Sequence, residues 1–312
     1  MKFSNEYIPQ RQENIPRSIP NRFDLGNRDI YVRDPFIMPF GGKYYLYRNE
    51  DKDGIVCHVS EDLENWSEPV FVFVPPKDFH GTDCFFWAPE CHYYNGYFYI
   101  FTSVKSSKFN DHRVISVYRA DNPLGPFEDI AGGCISPADW DSIDGTLYMD
   151  KDGQPWMVFV HEWTDMPDKN GSIVAAKLSN DFTSFISEPV HLFYAMDNNW
   201  ETMGCTDGPF LYRTDSGRLL MIWSNYVKPT GYAVLLAYSE TGDIIGPWKQ
   251  EKILYQKNIN DENSEDGGHG MIFRKDDGSL AMSIHSPNQP KAGEHCYIKI
   301  VTIKEKDGTL VI

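Results

Sequence analysis

The stretch RDPFIMPFGGKYYLYRN, from Arg33 to Asn49, places an Arg-Asp pair at the head of an apolar, aromatic run broken by Gly-Gly. Four later stretches share this design. They are APECHYYNGYFYIFTS from Ala88, IDGTLYMDKDGQPWMVFV from Ile143, TDGPFLYRTDSGRLLMIWSN from Thr206 and GHGMIFRKDDGSLAMSIHS from Gly268. Each opens on a polar residue beside Pro, Gly or Cys and continues as an apolar strand. A tight turn and a second apolar strand follow. Asn-Gly, Gly-Gly and Asp-Gly between apolar runs are strong hairpin signals.

The polar heads are Asp34, Glu90, Asp144, Asp207 and His269, spaced 54 to 63 residues apart. A period of that length suits a four-stranded propeller blade with generous loops. The second half of each unit repeats as well: a strand, a polar turn, then an aromatic residue at Trp66, Phe127, Phe185 or Trp248. IKIVTIKEKDGTLVI completes the fifth copy. The sequence therefore predicts an all-β protein, a five-bladed β-propeller with four antiparallel strands per blade. It is expected to be one catalytic domain over 1–312, with 1–24 an N-terminal extension packing on or closing the propeller.

Composition agrees with many short strands and turns: 14% aromatic residues, 24 Gly and 20 Pro in 312 residues. The net charge of −16 repels phosphates and anionic membranes, so neither nucleic acid nor a membrane is an expected partner. No run of 18 or more apolar residues occurs. MKFSNEYIPQ lacks the apolar segment of a secretory signal, which predicts a cytoplasmic protein, or an exported one whose leader has been removed. The six cysteines form no CxxC pair and read as buried thiols.

In a propeller the first strand of every blade lines the central channel. The five polar heads should then converge on the axis. Like charges crowded there raise one another's pKa and cost stability, which suits chemistry or a cation better than turn-making. Carboxylates across a cleft suit glycosidic bond cleavage, one protonating the leaving oxygen while the other activates water or attacks carbon. Trp87, Trp140 and Trp200 stand just ahead of three of the ring positions and read as sugar-stacking subsites.

These residues resemble glycoside hydrolase family 43, the propeller enzymes that include α-L-arabinofuranosidases, β-xylosidases and endo-arabinanases. The resemblance runs over residues 25–312 and is carried by RDPF at Arg33, WAPE at Trp87, SIDGTLYMDKDG at Ser142 and GHG at Gly268. It implies an inverting hydrolase in which Asp34 is the general base and Asp144 tunes and orients the acid. The family's acid is a Glu followed by Gly-Pro; the matching position here is Asp207, shorter by one methylene, and Glu201 is the other candidate. His269 matches a channel-floor histidine that binds Ca²⁺ directly or through water, with no cofactor required for the chemistry. Glu90 is expected to be structural or to touch substrate, and Arg33 and His285 to be further substrate contacts.

Exo cleavage of terminal α-L-arabinofuranosyl units is the leading expectation, with β-D-xylosyl units second. The loops over 78–86 and 193–205 would wall the pocket of a monomer acting on pentose-containing oligosaccharides. Two rivals stay open: a non-catalytic carbohydrate-binding propeller, and a retaining enzyme of the invertase type, whose motif order differs.

Overall fold

The structure, a computed structural model, describes residues 19–50, 53–81 and 85–312. Among them are five antiparallel sheets and one short 3₁₀ turn at Ser107–Phe109, with no α-helix. The sheets follow one another along the chain as the blades of a five-bladed propeller.

Blade 1 is built on β2 (Phe36–Phe40), β3 (Lys43–Glu50) and β4 (Gly54–Ser60). It is broader than the four strands expected. β5 (Asn65–Ser67) and β6 (Val70–Phe73) both pair with β4, and β1 (Phe23–Gly26) pairs with β5. The other blades hold four strands each. Blade 2 is β7–β10, from Trp87–Tyr94 to Glu128–Asp129, and blade 3 is β11–β14, from Ser142–Met149 to Val190–Tyr194. Blade 4 is β15–β18, from Asp207–Arg213 to Trp248–Tyr255, and blade 5 is β19–β22, from Gly268–Arg274 to Thr309–Val311.

Turn chemistry explains the hairpins. Gly41-Gly42, Asn95-Gly96 and Asp307-Gly308 each place two residues at positive φ between directly paired strand ends. That is the type I′ geometry, whose twist matches the strands it joins. The second strands read as unbroken apolar runs because both faces are covered by neighbouring blades. Pro155–His161 and Leu280–Ser286 are buried at every position.

The core consists of the seams between blades. Phe101, Val117, Phe159 and Val174 fill the seam of blades 2 and 3, while Val158, Ala175, Met221 and Leu235 fill that of blades 3 and 4. Blades 5 and 1 meet through Val32 N–H to Cys296 O at 3.2 Å and Ser283 Oγ to Pro35 O at 2.9 Å. Residues 23–26 extend blade 1 on its own outer edge and do not bridge it to blade 5; residues 1–18 of the expected extension lie outside the described residues. The described cysteines, Cys57, Cys91, Cys134, Cys205 and Cys296, are all free thiols.

Candidate active site

One backbone device recurs at the head of every blade. Asp34, Ala88, Asp144, Gly208 and His269 have φ of 52°, 43°, 56°, 49° and 51°. Each is followed by Pro or Gly. In blades 2 to 5 the pairing register slips at this residue, between Trp87 and Glu90, Ile143 and Thr146, Asp207 and Phe210, and Gly268 and Met271. Left-handed backbone at a non-glycine residue costs of order 1–3 kcal/mol. Here the bulge ends the ladder and turns a side chain or N–H towards the axis.

The freed N–H groups lock neighbouring blades together. Asp144 N–H donates to Ser103 Oγ at 3.1 Å, His269 N–H to Ser224 Oγ at 2.8 Å and Asp34 N–H to His285 Nδ1 at 3.1 Å. Each acceptor lies on the second strand of the preceding blade. Gly208 N–H donates instead to Asp144 Oδ2 at 3.0 Å. A Cβ on Gly208 would stand 2.7 Å from the His269 ring, so the backbone here approaches too closely for any side chain.

This register corrects the expected ring. The equivalent positions are Asp34, Ala88, Asp144, Gly208 and His269; Asp207 stands one residue before its blade's position and Glu90 two after. Glu90 shares its register position with Phe36 and Phe210, whose rings approach to 6.4 Å, one layer below the site. It is buried and paired with His92 Nε2 at 3.1 Å. Glu90 does not line the cavity.

Asp34, Asp144, Asp207 and His269 do converge, together with Arg33 and Tyr232, in a cavity of about 460 Å³. Asn49, Ala88, Ile143 and Glu162 complete its wall, and the exposed rings of Tyr31, Phe85 and Trp87 border it. The Arg113 guanidinium lies 3.4 Å from the centre of the Trp87 ring and backs it as a platform.

His269 sits between two carboxylates. Its Nδ1 is 3.1 Å from Asp34 Oδ1 and 3.9 Å from Asp144 Oδ2. Burial alone would lower the His269 pKa, but Asp34 and then Asp144 push it up to about 10. Burial would likewise raise the Asp34 carboxyl, yet His269 and His285 hold it well below the usual carboxylate range. Asp144 behaves oppositely. Burial raises it, His269 opposes, and the Asp207 and Asp34 charges add, leaving it at about 7. Asp207 is also raised by burial, against the pull of His269 and the hydrogen bond that Tyr232 OH donates to its Oδ2 at 2.8 Å. One cavity thus holds a carboxyl pushed below the usual range beside two pushed above it.

The other expected residues divide. Arg33 lines the cavity and is braced by Asn288, with its Nη2 donating to Asn288 Oδ1 at 2.8 Å. His285 is no substrate contact: fully buried beneath Asp34, it accepts the Asp34 N–H and donates through Nε2 to Asn288 Oδ1 at 2.9 Å. Trp140 stacks on His161 at 4.1 Å, and Trp200 packs against the seam of blades 3 and 4. Neither lines the cavity. Glu201 is exposed and paired with Lys228 at 2.7 Å outside the cavity, which removes it as an acid. The 193–205 loop gives the cavity no wall; of the 78–86 loop, Phe85 lines it and residues 82–84 lie outside the described residues.

Tyr31, Asn49, Phe85, Glu162 and Tyr232 were missed. A signal for three of them exists. A first strand that starts at the site end implies a second strand that ends there and a third that starts there. Asn49 and Glu162 stand at the ends of second strands, and Tyr232 at the start of a third.

Calcium fits poorly as a site built from side chains. It takes roughly 6–8 oxygen ligands, whereas His269 Nδ1 is committed to Asp34 and His269 belongs to no cluster of converging ligand atoms among the described residues.

The profile of glycosyl hydrolases family 43 matches residues 30–310. The extracellular exo-α-(1→5)-L-arabinofuranosidase ArbA of Cellvibrio japonicus is 28% identical over 72% of this chain and 67% of its own length. The extracellular endo-α-(1→5)-L-arabinanase 1 of Bacillus subtilis is 23% identical over 72% of this chain and 69% of its own. Among solved structures, an endo-arabinase from Bacteroides thetaiotaomicron superposes with a TM-score of 0.82 at 35% identity, covering 92% of this chain and 99% of that one.

Proposed function

Because this chain belongs to glycosyl hydrolases family 43 and is a glycoside hydrolase of arabinan- or xylan-type carbohydrate, we propose that it is an inverting, exo-acting α-L-arabinofuranosidase. The observation that carries this reading is the convergence of Asp34, Asp144 and Asp207 on His269 in one cavity, with their pKa values pushed apart. Asp34 is held well below the usual carboxylate range, chiefly by the His269 ring, while Asp207 and Asp144 are raised above it.

Asp34 is the general base that takes a proton from the attacking water. Asp207 is the general acid that protonates the leaving oxygen. Asp144 accepts the Gly208 N–H, so it fixes the backbone beside the acid and resists a second negative charge there. Inversion needs a water between base and sugar, with the carboxyls roughly 6.5–9.5 Å apart. Asp34 and Asp207, from blades 1 and 4 on either side of His269 of blade 5, are expected to stand that far apart.

A cavity of about 460 Å³, with Trp87 as a stacking face, suits a terminal pentose. β-D-Xylosyl units are the second expectation. Endo action on arabinan is a second reading with its own support, since no residue of 193–205 lines the cavity and the 35%-identical structure bears an endo-arabinase name. The extracellular action stated for both relatives supports secretion of this chain too.

The test pairs 4-nitrophenyl α-L-arabinofuranoside and β-D-xyloside with linear arabinan. The exo reading predicts at least about tenfold higher kcat/KM on the arabinofuranoside. It also predicts free arabinose from the polymer with little loss of viscosity. Short oligosaccharides with a rapid viscosity drop establish the endo reading, and no turnover of any substrate leaves a binding protein.

A further inference from the structure

Glu162 is a fourth carboxylate in the cavity, and none of the roles above uses it. It follows directly on β12 (Pro155–His161), and its main chain is clamped on both sides. Its N–H donates to Asp141 O at 2.8 Å, and its carbonyl accepts from Asp165 N–H at 3.1 Å. Asp141 is held in turn: its Oδ1 accepts Arg113 N–H at 2.8 Å, and its own N–H donates to Asp165 Oδ2 at 3.1 Å. Such a frame fixes the Cα and carries the carboxyl on a two-methylene side chain. Asp207 has one methylene, and its Oδ2 is tied back to Tyr232 OH at 2.8 Å.

We propose that Glu162 is a second catalytic acid, which shares with Asp207 the proton delivered to the leaving-group oxygen. The proposal rests on the hydrolase reading, with Asp34 as base. As the glycosidic C–O bond breaks, the O–H bond of the Glu162 carboxyl breaks and its proton joins the leaving oxygen. Water meanwhile forms the new C–O bond and gives its proton to Asp34. Afterwards Asp34 releases a proton to solvent, and the acid pair takes one up, so the count is unchanged.

The groups facing Glu162 suit this work. Asp141, Asp207, Arg113 and the Cys205 thiol surround it. Burial, then the Asp141 charge, raise its pKa, while the Thr164 hydroxyl and Arg113 restrain the rise. Two carboxyl groups near one another hold one proton more readily than none or two.

The experiment compares Glu162→Gln, Glu162→Ala, Asp207→Asn and the Gln/Asn double variant. The substrates are aryl glycosides of the preferred pentose, with phenols of pKa about 4 to 10, and the corresponding disaccharide. An acid matters little to a good leaving group and greatly to a poor one, worth about 10²–10⁴-fold. Glu162→Gln and Glu162→Ala should therefore stay within about threefold of wild type on the most acidic phenol. They should lose about 10²-fold on the least acidic one and on the disaccharide, and the alkaline limb of kcat/KM should shift. The double variant should fall no further than the worse single one, as expected of groups acting as a unit.

Equal losses across the whole series would make Glu162 a binding group and overturn the proposal. No loss, or fully additive losses, would overturn it as well. Asp34→Asn separates this failure from that of the hydrolase reading. If Asp34→Asn retains activity, the reading itself falls; if it is inactive while Glu162 proves silent, only the shared proton falls.

Discussion

Asp34→Asn should lower kcat/KM on every substrate, whatever its leaving group, by about 10⁴-fold, at the upper end of what a positioned base contributes. The amide matches the carboxylate in shape but cannot take a proton from water. The loss should appear in kcat, because the substituted group acts on the attacking water rather than on binding. Stability should change too, with a defined sign. The Asp34 pKa in the fold lies well below its unfolded value of about 3.9. Its stabilising effect is therefore fully present above that unfolded value and fades as pH falls through the folded one. Asp34→Asn should melt below wild type at pH 7, and the gap should narrow in acid. Residual activity within tenfold of wild type would remove Asp34 from the chemistry.

The second large effect belongs to Asp144, whose sign is reversed. Its carboxyl is pushed up to about 7, first by burial and then by the charges of Asp207 and Asp34 against the pull of His269. A carboxyl raised above its unfolded value loses stability as pH climbs from about 4 to 7, and the full cost is present above that window. Asparagine keeps the shape and can still accept the Gly208 N–H, without ionising. Asp144→Asn should cost about 10²–10³-fold in kcat. At pH 8 it should unfold with a free energy higher than wild type by on the order of 2 kcal/mol, a gain that vanishes near pH 4. Urea titrations of both proteins at the two pH values measure it. A variant no more stable than wild type at pH 8 would contradict the burial account of Asp144.

How far the sequence reveals these features depends on the length scale. The blades are legible because strand and turn chemistry are local: Asn95-Gly96 and Asp307-Gly308 announce their hairpins by composition alone. The head of each blade is legible to within one or two residues. Charge singles out Glu90 and Asp207 as ring members, whereas the backbone places Ala88 and Gly208 there. Charge was the wrong marker; the Pro or Gly that follows the left-handed residue marks the position in all five blades.

Trp140 and Trp200 misled for a related reason. Sequence proximity to a ring position says nothing about which way a ring turns, and the seams between blades demand large apolar side chains as strongly as a sugar does. Glu162 and Tyr232 escaped because their part in the site depends on strand direction across three strands. No pattern within one strand carries that information.

The stereochemistry of the first product decides between inversion and retention. Proton NMR during hydrolysis of 4-nitrophenyl α-L-arabinofuranoside, read before mutarotation, should show the β-anomer of arabinofuranose appearing first, because water enters opposite the departing group. First appearance of the α-anomer would mean that a carboxylate had bonded to the sugar, and the roles given to Asp34 and Asp207 would be wrong.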